Sequence, residues 1–589
     1  MAGAQTPPDR DGRETIATVT ATPPTRPSPE PLGRRTWLLI AIALVPLVVA
    51  AARVLTSLGD GFHATSDNAI NELLVRDLWR HVVLTGPFSR GEWSHPGPLF
   101  YYLSWPTYRV FGSNSTAMLI DALVINGASV GVMIAIAKRW GGFSLALPVA
   151  LATGALVLRL PTDFLANPWN PYVTVLPFGA FLLTAWAASC GDRPAFAVAV
   201  FIGSFCAQTH IGYAPLVAPL LVWCAWRVIR DRRANGLAGL GWAAATLVVV
   251  LFPPLLDQMT RHPGNLHAIA SYFAHPDGPK HSITDGLRVL AGQFSGNADW
   301  LAGYRGANPY NAEPLSVTEA MPIPFLLAGF VVAVVVAFRS RRRADLLLGI
   351  ALLIPIVAGV VAVAQTVGSI YEYRLRWTWV LGALATAFTV AEAGRVVRRH
   401  ISARGTKVAG AAAVAGVVAF AALGSLHTMA IHPVRLHHAR QVRALANQVV
   451  RRLPGRSGVV LVKTDGSFSA NGDIPGLILN LERASIPVRL SYTYANKIIY
   501  GAHRIHRRHE RVRARLLLTT DSLLERTAAQ PGARQLAFVS DSTPTQRSRA
   551  VLELESLVAR GAKPFSPKVL AAKRRIEALA VYVVPAAGY

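Results

Sequence analysis

The sequence predicts a polytopic α-helical membrane protein of about eleven transmembrane helices, followed by a C-terminal α/β domain. Three observations carry that prediction. Of 589 residues 15% are charged and 52% hydrophobic, with a mean hydropathy of +0.36; this balance excludes soluble and disordered classes. Apolar runs of spanning length recur from residue 36 to residue 428. Beyond residue 430, helical stretches alternate with short β-like runs.

Residues 1–33 are rich in Pro, Thr and Arg and poor in large apolar side chains. They cannot bury a core, so a disordered cytoplasmic tail is expected. The run Trp37 to Val54 has a long polar lead-in and no small-residue cleavage pattern, which reads as a retained span rather than a signal peptide. Spans are then expected near 36–55, 116–137, 142–160, 171–189, 194–210, 212–229, 238–256, 322–338, 345–366, 377–394 and 407–428. Basic clusters lie at Arg34-Arg35, Lys138-Arg139, Arg230-Asp231-Arg232-Arg233, Arg339 to Arg343 and Arg395 to Arg399. With the N-terminus inside, all five fall on the cytoplasmic side. The opposite side receives the long loops 56–115 and 257–321, loop 160–170, the Thr209-His210 connection, the turn 367–376 and everything after 430. The formal charge of +27 is thereby read as orientation signal and contact with membrane lipids, not as a nucleic-acid footprint.

The C-terminal domain, 431–589, should hold helices over 437–452 and 545–560. Short strands are expected at Val459 to Val462, Val488 to Leu490, Leu516 to Leu518, Leu536 to Val539 and Val581 to Val584. That alternation predicts a partly parallel sheet. The run His503 to Arg515 reads as a solvated or membrane-facing basic helix. Cys190, Cys206 and Cys224 sit in or beside apolar runs with no metal spacing, as small packing residues do.

The candidate chemistry gathers on the outer face. Thr65-Ser66-Asp67-Asn68 is a helix start, and the helix should run to about His81 with Asp67 and Asn71 on one face. An acid just past a span can take a proton from an acceptor hydroxyl, or it can simply complement the helix dipole. Ser94-His95-Pro96-Gly97-Pro98-Leu99-Phe100-Tyr101 is a rigid turn. It either aims His95 at a phosphate or sugar hydroxyl, or returns the chain to the membrane with interfacial aromatics. Asp163, Asn167, Trp169 and Asn170 add an acid, two amides and an indole on that side. These groups suit sugar binding, and equally a turn capping the next span.

Tyr371-Glu372-Tyr373-Arg374-Leu375-Arg376 places two arginines where the positive-inside bias disfavours them. An anionic phosphate would account for them, as would pairing with Glu372 or lipid headgroups. Glu72, Asp77, His210 and Asp257 are lesser candidates, Glu72 with Arg76 reading as an ordinary helix-surface pair.

These residues resemble those of the membrane-embedded glycosyltransferases of the C fold, which use polyprenyl-phosphate sugars. That class includes protein mannosyltransferases, aminoarabinose transferases and actinobacterial arabinofuranosyltransferases. Asp67 occupies the place of the acid that follows the first span in that class. The His95-Pro96-Gly97-Pro98-Leu99 run is similar to its Lys/His-Pro-Pro-Leu motif, with Gly in place of the second proline. Asp163 stands where some members carry a second acid, and Tyr373-Arg374 is similar to their late outer-face Tyr/Arg elements.

The resemblance implies an inverting transfer from a polyprenyl-phosphate sugar donor to a glycan, lipid or protein acceptor. Asp67 would be the base, and Arg374 or Arg376 with His95 would stabilise the departing phosphate. Asp163, Asn167, Asn170 and Tyr373 would complete the substrate site. No cofactor is firmly implied, and dependence on a divalent cation is left open, since Asp67 has no second acid beside it. The competing class is a transporter, or a flippase or polymerase of lipid-linked glycans, for which loop 257–321 is long enough.

Overall fold

A computed structural model describes residues 30–57, 61–89, 91–230, 234–303, 320–431, 436–455, 457–466, 468–562 and 566–586. Most of the expected 1–33 tail, the basic residues Arg232 and Arg233, and 304–319 of loop 257–321 lie outside the described residues.

Each expected apolar run is a helix: α1 (Arg34–Ser57), then Ser115–Gly141, Phe143–Arg159, Val175–Ser189, Arg193–Thr209, Ala214–Arg230, Ala234–Thr260, Phe325–Arg339, Arg343–Ala364, Trp377–Val397 and Ala403–Met429. Among the described residues, eight helical segments are long and apolar enough to cross a membrane, and Phe143–Arg159 and Phe325–Arg339 are shorter apolar helices. The Val175–Ser189 helix is buried along its whole length, whereas more apolar spans such as Arg34–Ser57 are only partly covered by protein. Helices Ser115–Gly141, Arg193–Thr209, Ala214–Arg230, Arg343–Ala364 and Trp377–Val397 pack around it.

One end of the bundle is knitted by charge. Lys138 pairs with Glu30, Arg139 with Asp192 at 3.3 Å, and Arg342 and Arg395 both grip Glu392 and Asp345. Four of the sequence's basic clusters contribute to, or lie beside, this end. The other end carries the candidate residues. There α2 (Ser66–Asp77) follows the first span, and β1 (Phe88–Ser89) pairs antiparallel with β2 (Trp93–Ser94) before α3 (Leu99–Val110). Helix α2 stops four residues short of the expected His81. The chain breaks at Trp79, which has φ +68, a conformation that ends a helix and that bulky residues rarely adopt.

The C-terminal sheet is five-stranded in the order β4-β3-β5-β7-β6, with β3 (Val459–Thr464), β4 (Val488–Arg489), β5 (Val512–Thr520), β6 (Arg534–Ser540) and β7 (Ala578–Val583). It is partly parallel: β3 runs parallel to β4 and β5, while β7 is antiparallel to β5 and β6. All five expected strands are present. The expected basic helix at His503 to Arg515 is not: that stretch is a short 3-10 turn at Ala502–Arg504 followed by β5. Ala514, Leu516 and Leu518 alternate inward, and this period of two overrides the charge run.

The sheet's apolar core reaches out of its own segment. Ala64, Ala69 and Leu73 pack in one cluster with Val442, Leu445, Ile474 and Ile478. One face of α2 therefore belongs to the C-terminal core.

Candidate active site

Asp67 sits in the first turn of α2, solvent-exposed, and its Oδ2 accepts a hydrogen bond from the Trp169 indole Nε1–H at 2.8 Å. Trp169 is fixed from both sides. Its backbone N–H donates to Asn167 Oδ1 at 3.1 Å, and its ring lies 4.8 Å from the Tyr373 ring and 5.0 Å from that of Tyr172. Asn68 donates to the same Asn167 oxygen at 3.2 Å, and Asn167 donates to Asp163 Oδ2 at 2.9 Å. Asn71 donates to the Pro168 carbonyl at 3.4 Å and accepts from the Tyr101 hydroxyl at 3.2 Å. Segment 163–169 and α2 are thus laced together, with the Asp67 carboxylate left facing outward.

The cation is held by the other member of the aromatic pair, Tyr373. Arg374 is half-buried, its Nε donates to the Tyr373 hydroxyl at 3.4 Å, and its guanidinium lies 5.2 Å and 5.7 Å from the Tyr371 and Tyr373 ring centroids. Among the described residues no carboxylate pairs with it. An arginine held on ring faces, with no acid to neutralise it, is a ready anion site.

Arg376 is placed differently. It is fully buried in a bidentate pair with Glu372, Nε–Oε1 2.8 Å and NH2–Oε2 2.9 Å, and its guanidinium lies 4.3 Å from the Tyr172 ring centroid. The sequence expects Arg376 at a phosphate; in the structure its guanidinium faces Glu372 and Tyr172. Burial beside Glu372 makes it a support for the turn. Asp163 and Asn170 are likewise buried; Asp163 orients Asn167, and Asn170 donates to the Thr209 carbonyl at 3.3 Å. Asp163 also lines a cavity with Asn68 and Asn167.

His95 is buried at the rim of the same end. Its Nδ1 accepts from the Ile211 backbone N–H at 3.1 Å, and its ring lies 4.9 Å from that of His210. His210 Nδ1 accepts from Gly212 N–H at 3.3 Å. Burial lowers both imidazole pKa values, with the Arg374 charge adding to the effect; His95 also feels His210, and His210 falls to about 3. Both rings are therefore neutral with their protons on Nε2, which makes them hydrogen-bond donors without charge.

A stability prediction follows from the sign of that shift. Below pH 6.5, the ordinary histidine value, the unfolded chain binds protons that the folded one refuses, so stability falls as pH drops. The double variant His95→Asn, His210→Asn should show a shallower decline in unfolding midpoint between pH 7 and pH 4. An unchanged slope would remove these two rings as the cause.

The turn before α3 depends on Gly97. A Cβ there would collide with the Gln208 side chain, which is itself held by a hydrogen bond to the Val250 carbonyl. The turn is also held by a residue without any local sequence signal: Asn265 accepts from Ser94 N–H at 2.9 Å and donates to the Ser94 carbonyl at 2.7 Å. Asp257 accepts from Asn265 N–H at 2.9 Å and from Arg261 at 3.0 Å, so its work is structural. Glu72 is no surface partner of Arg76. It is wholly buried, accepting from the Tyr108 hydroxyl at 2.9 Å and the Ser115 hydroxyl at 2.5 Å, and pairing with Arg483.

Among the described residues, one group has donor atoms close enough for a metal ion: Asp77, His81 and His503, all within 4.8 Å of one another. The rings of His81 and His503 stack 3.6 Å apart with planes 8° from parallel, and both Asp77 oxygens accept from Arg504. Parallel stacked rings cannot both place one ion in their ring planes, so this arrangement acts as a tie between segments.

No protein-family model matches the sequence, and no curated protein matches it. Solved structures do. The crystal structure of ArnT from Cupriavidus metallidurans bound to undecaprenyl phosphate aligns at a TM-score of 0.52 and 14% identity, over 86% of this chain and 97% of that one. The same enzyme in the apo state aligns at 0.52 and 13%, with the same coverage. At this identity the likeness shows the fold: the chain is an integral membrane protein of the C-type architecture.

Proposed function

We propose that this protein is an inverting glycosyltransferase that moves a sugar from a polyprenyl-phosphate donor to a cell-envelope glycan, lipid or protein acceptor on the outer face of the plasma membrane. The observation that carries this reading is the chain of contacts through Trp169 and Tyr373: it joins an exposed carboxylate bonded to Trp169 to an arginine held by Tyr373 that has no acid partner among the described residues. The undecaprenyl phosphate bound to the ArnT structure supports the choice of donor class. The reading assigns the orientation too, with the tail 1–33 inside, 34–430 as the transferase bundle and 431–589 outside. The charge-knitted end of the bundle, rich in Lys and Arg, supports that orientation.

In this scheme the acceptor hydroxyl gives its proton to Asp67 as its oxygen bonds to the anomeric carbon. The bond from that carbon to the phosphate oxygen breaks on the opposite face, so the centre inverts. The departing polyprenyl phosphate keeps the electron pair, and Arg374 receives its growing charge. The neutral His95 and His210 can each donate an Nε2–H without competing for that charge. Membranes containing the protein should transfer label from radiolabelled polyprenyl-phosphate sugars, with free polyprenyl phosphate as co-product. Uptake of the lipid-linked sugar without cleavage would instead point to a flippase.

A further inference from the structure

Helix α2 carries Asp67 at one end and is gripped along its length by residues more than 400 positions away in sequence. Asp77 gives both carboxylate oxygens to Arg504, NH1–Oδ2 2.7 Å and NH2–Oδ1 2.9 Å. The same guanidinium takes Glu482 through Nε at 2.7 Å and NH2 at 2.9 Å, and its side chain is 2% exposed. One turn and a half earlier, buried Glu72 pairs with Arg483, which also donates to Ser115 Oγ at 3.1 Å. Ala69 and Leu73 on the same helix join the apolar cluster of Leu477 and its neighbours.

The Phe468–Arg483 helix thus lies along α2 from Ala69 to Arg76, and the Tyr494–Tyr500 helix also packs on α2. The Tyr500 hydroxyl is buried, and after burial the Asp67 charge is what raises its pKa, as a neighbour of that carboxylate. Asp77 behaves consistently: burial pulls its pKa up, but His503 and Arg504 outweigh burial and hold it below the ordinary carboxylate value.

We infer that the C-terminal α/β segment is the positioning element of the reaction site, and that Arg504 and Arg483 are its positioning residues. They seat α2 so that Asp67 meets Trp169. The C-terminal segment is therefore part of the transferase machinery, not an independent module tethered to it. This rests on the transferase reading for its consequence in rate, but the mechanical claim stands apart from it.

The logic is geometric. Among the described residues Asp67 has one side-chain hydrogen bond, to Trp169; the rest of its placement comes from α2. The buried Arg504 clamp, the half-buried Arg483 pair and an apolar face set the height and rotation of that helix. A misplacement of about 1 Å in a reacting group typically lowers rate about 100-fold.

The test uses the full-length protein in detergent or nanodiscs, with Arg504→Lys, Asp77→Asn and, as control, Arg489→Ala. Arg489 pairs with Glu510 within the C-terminal segment, at 2.7 Å, and does not touch α2. Two quantities are read: hydrogen exchange of the amides of 66–77, and the kcat and donor KM of transfer. For Arg504→Lys and Asp77→Asn we expect faster exchange confined to α2 and its contacts, kcat lower by about 100-fold, and a donor KM within about twofold of wild type. The control should match wild type in both.

Should Arg504→Lys fail to fold, Asp77→Asn carries the test alone. Unchanged exchange in 66–77, or full turnover with α2 unprotected, overturns the inference. A wild-type protein inert toward every donor counts against the transferase reading, while the exchange arm still decides whether Arg504 holds α2.

Discussion

Asp67→Asn is expected to abolish sugar transfer and leave the bundle folded. Asparagine keeps the shape of the side chain, and its Oδ1 can still accept from the Trp169 indole that Asp67 engages at 2.8 Å. The first turn of α2 keeps its place too, since no side-chain cap runs through this residue. What disappears is the capacity to take a proton. A positioned general base contributes roughly 100- to 10,000-fold in rate, so residual turnover should fall to about 1% of wild type or less. Stability should move little, because exposed substitutions away from buried networks change it by roughly 0.5 kcal/mol or less. The measurement is label transfer from polyprenyl-phosphate sugar in membranes, beside a thermal unfolding curve of the purified variant. Turnover near wild type in a folded Asp67→Asn protein would take the base role away from this residue.

Much of this architecture can be read from the chain because its signals are local. Each span is a continuous apolar run, and the basic clusters next to the runs sort their ends. Five short β-like runs in the last segment were enough for a mixed sheet. The site is less legible, for a physical reason in each case. Glu72 and Arg76 have the spacing of a helix-surface pair, yet Glu72 turns inward to Arg483, 411 residues away, and Arg76 faces Glu482. Tertiary burial overrides an i,i+4 pattern whenever a stronger partner comes from elsewhere.

The basic run at 503–515 hides a strand, because its inward positions, Ala514, Leu516 and Leu518, are interleaved with arginines on the other face. Asn265 has no motif at all; only the folded loop shows it clasping Ser94. Trp169 reads in the sequence as an indole suited to sugar binding or to a capping turn, and the link of its N–H to Asp67 is visible only in the fold.

Arg374 and Arg376, two residues apart, are expected to fail in opposite ways. Removing Arg376 leaves the buried Glu372 without the bidentate partner that holds it at 2.8 Å and 2.9 Å. Breaking a buried pair from one side costs about 3–5 kcal/mol, a large share of the roughly 5–15 kcal/mol that holds a typical domain together. Arg376→Ala should therefore lose folded protein in detergent, and its activity should fall with it. The paired replacement Glu372→Leu, Arg376→Met removes both charges at once, and apolar substitutes for a buried pair are often neutral. That double variant should recover the fold.

Arg374→Ala breaks no ion pair among the described residues, only a hydrogen bond of 3.4 Å to Tyr373 and contacts with two rings. Its unfolding midpoint should stay close to wild type, while kcat falls about 100- to 1,000-fold, the usual loss when one donor to a developing anion is removed. Folding yield and rate thus separate what sequence proximity joins: a fold defect in Arg374→Ala, or a well-folded but slow Arg376→Ala, would exchange the two roles and move the phosphate contact to the buried arginine.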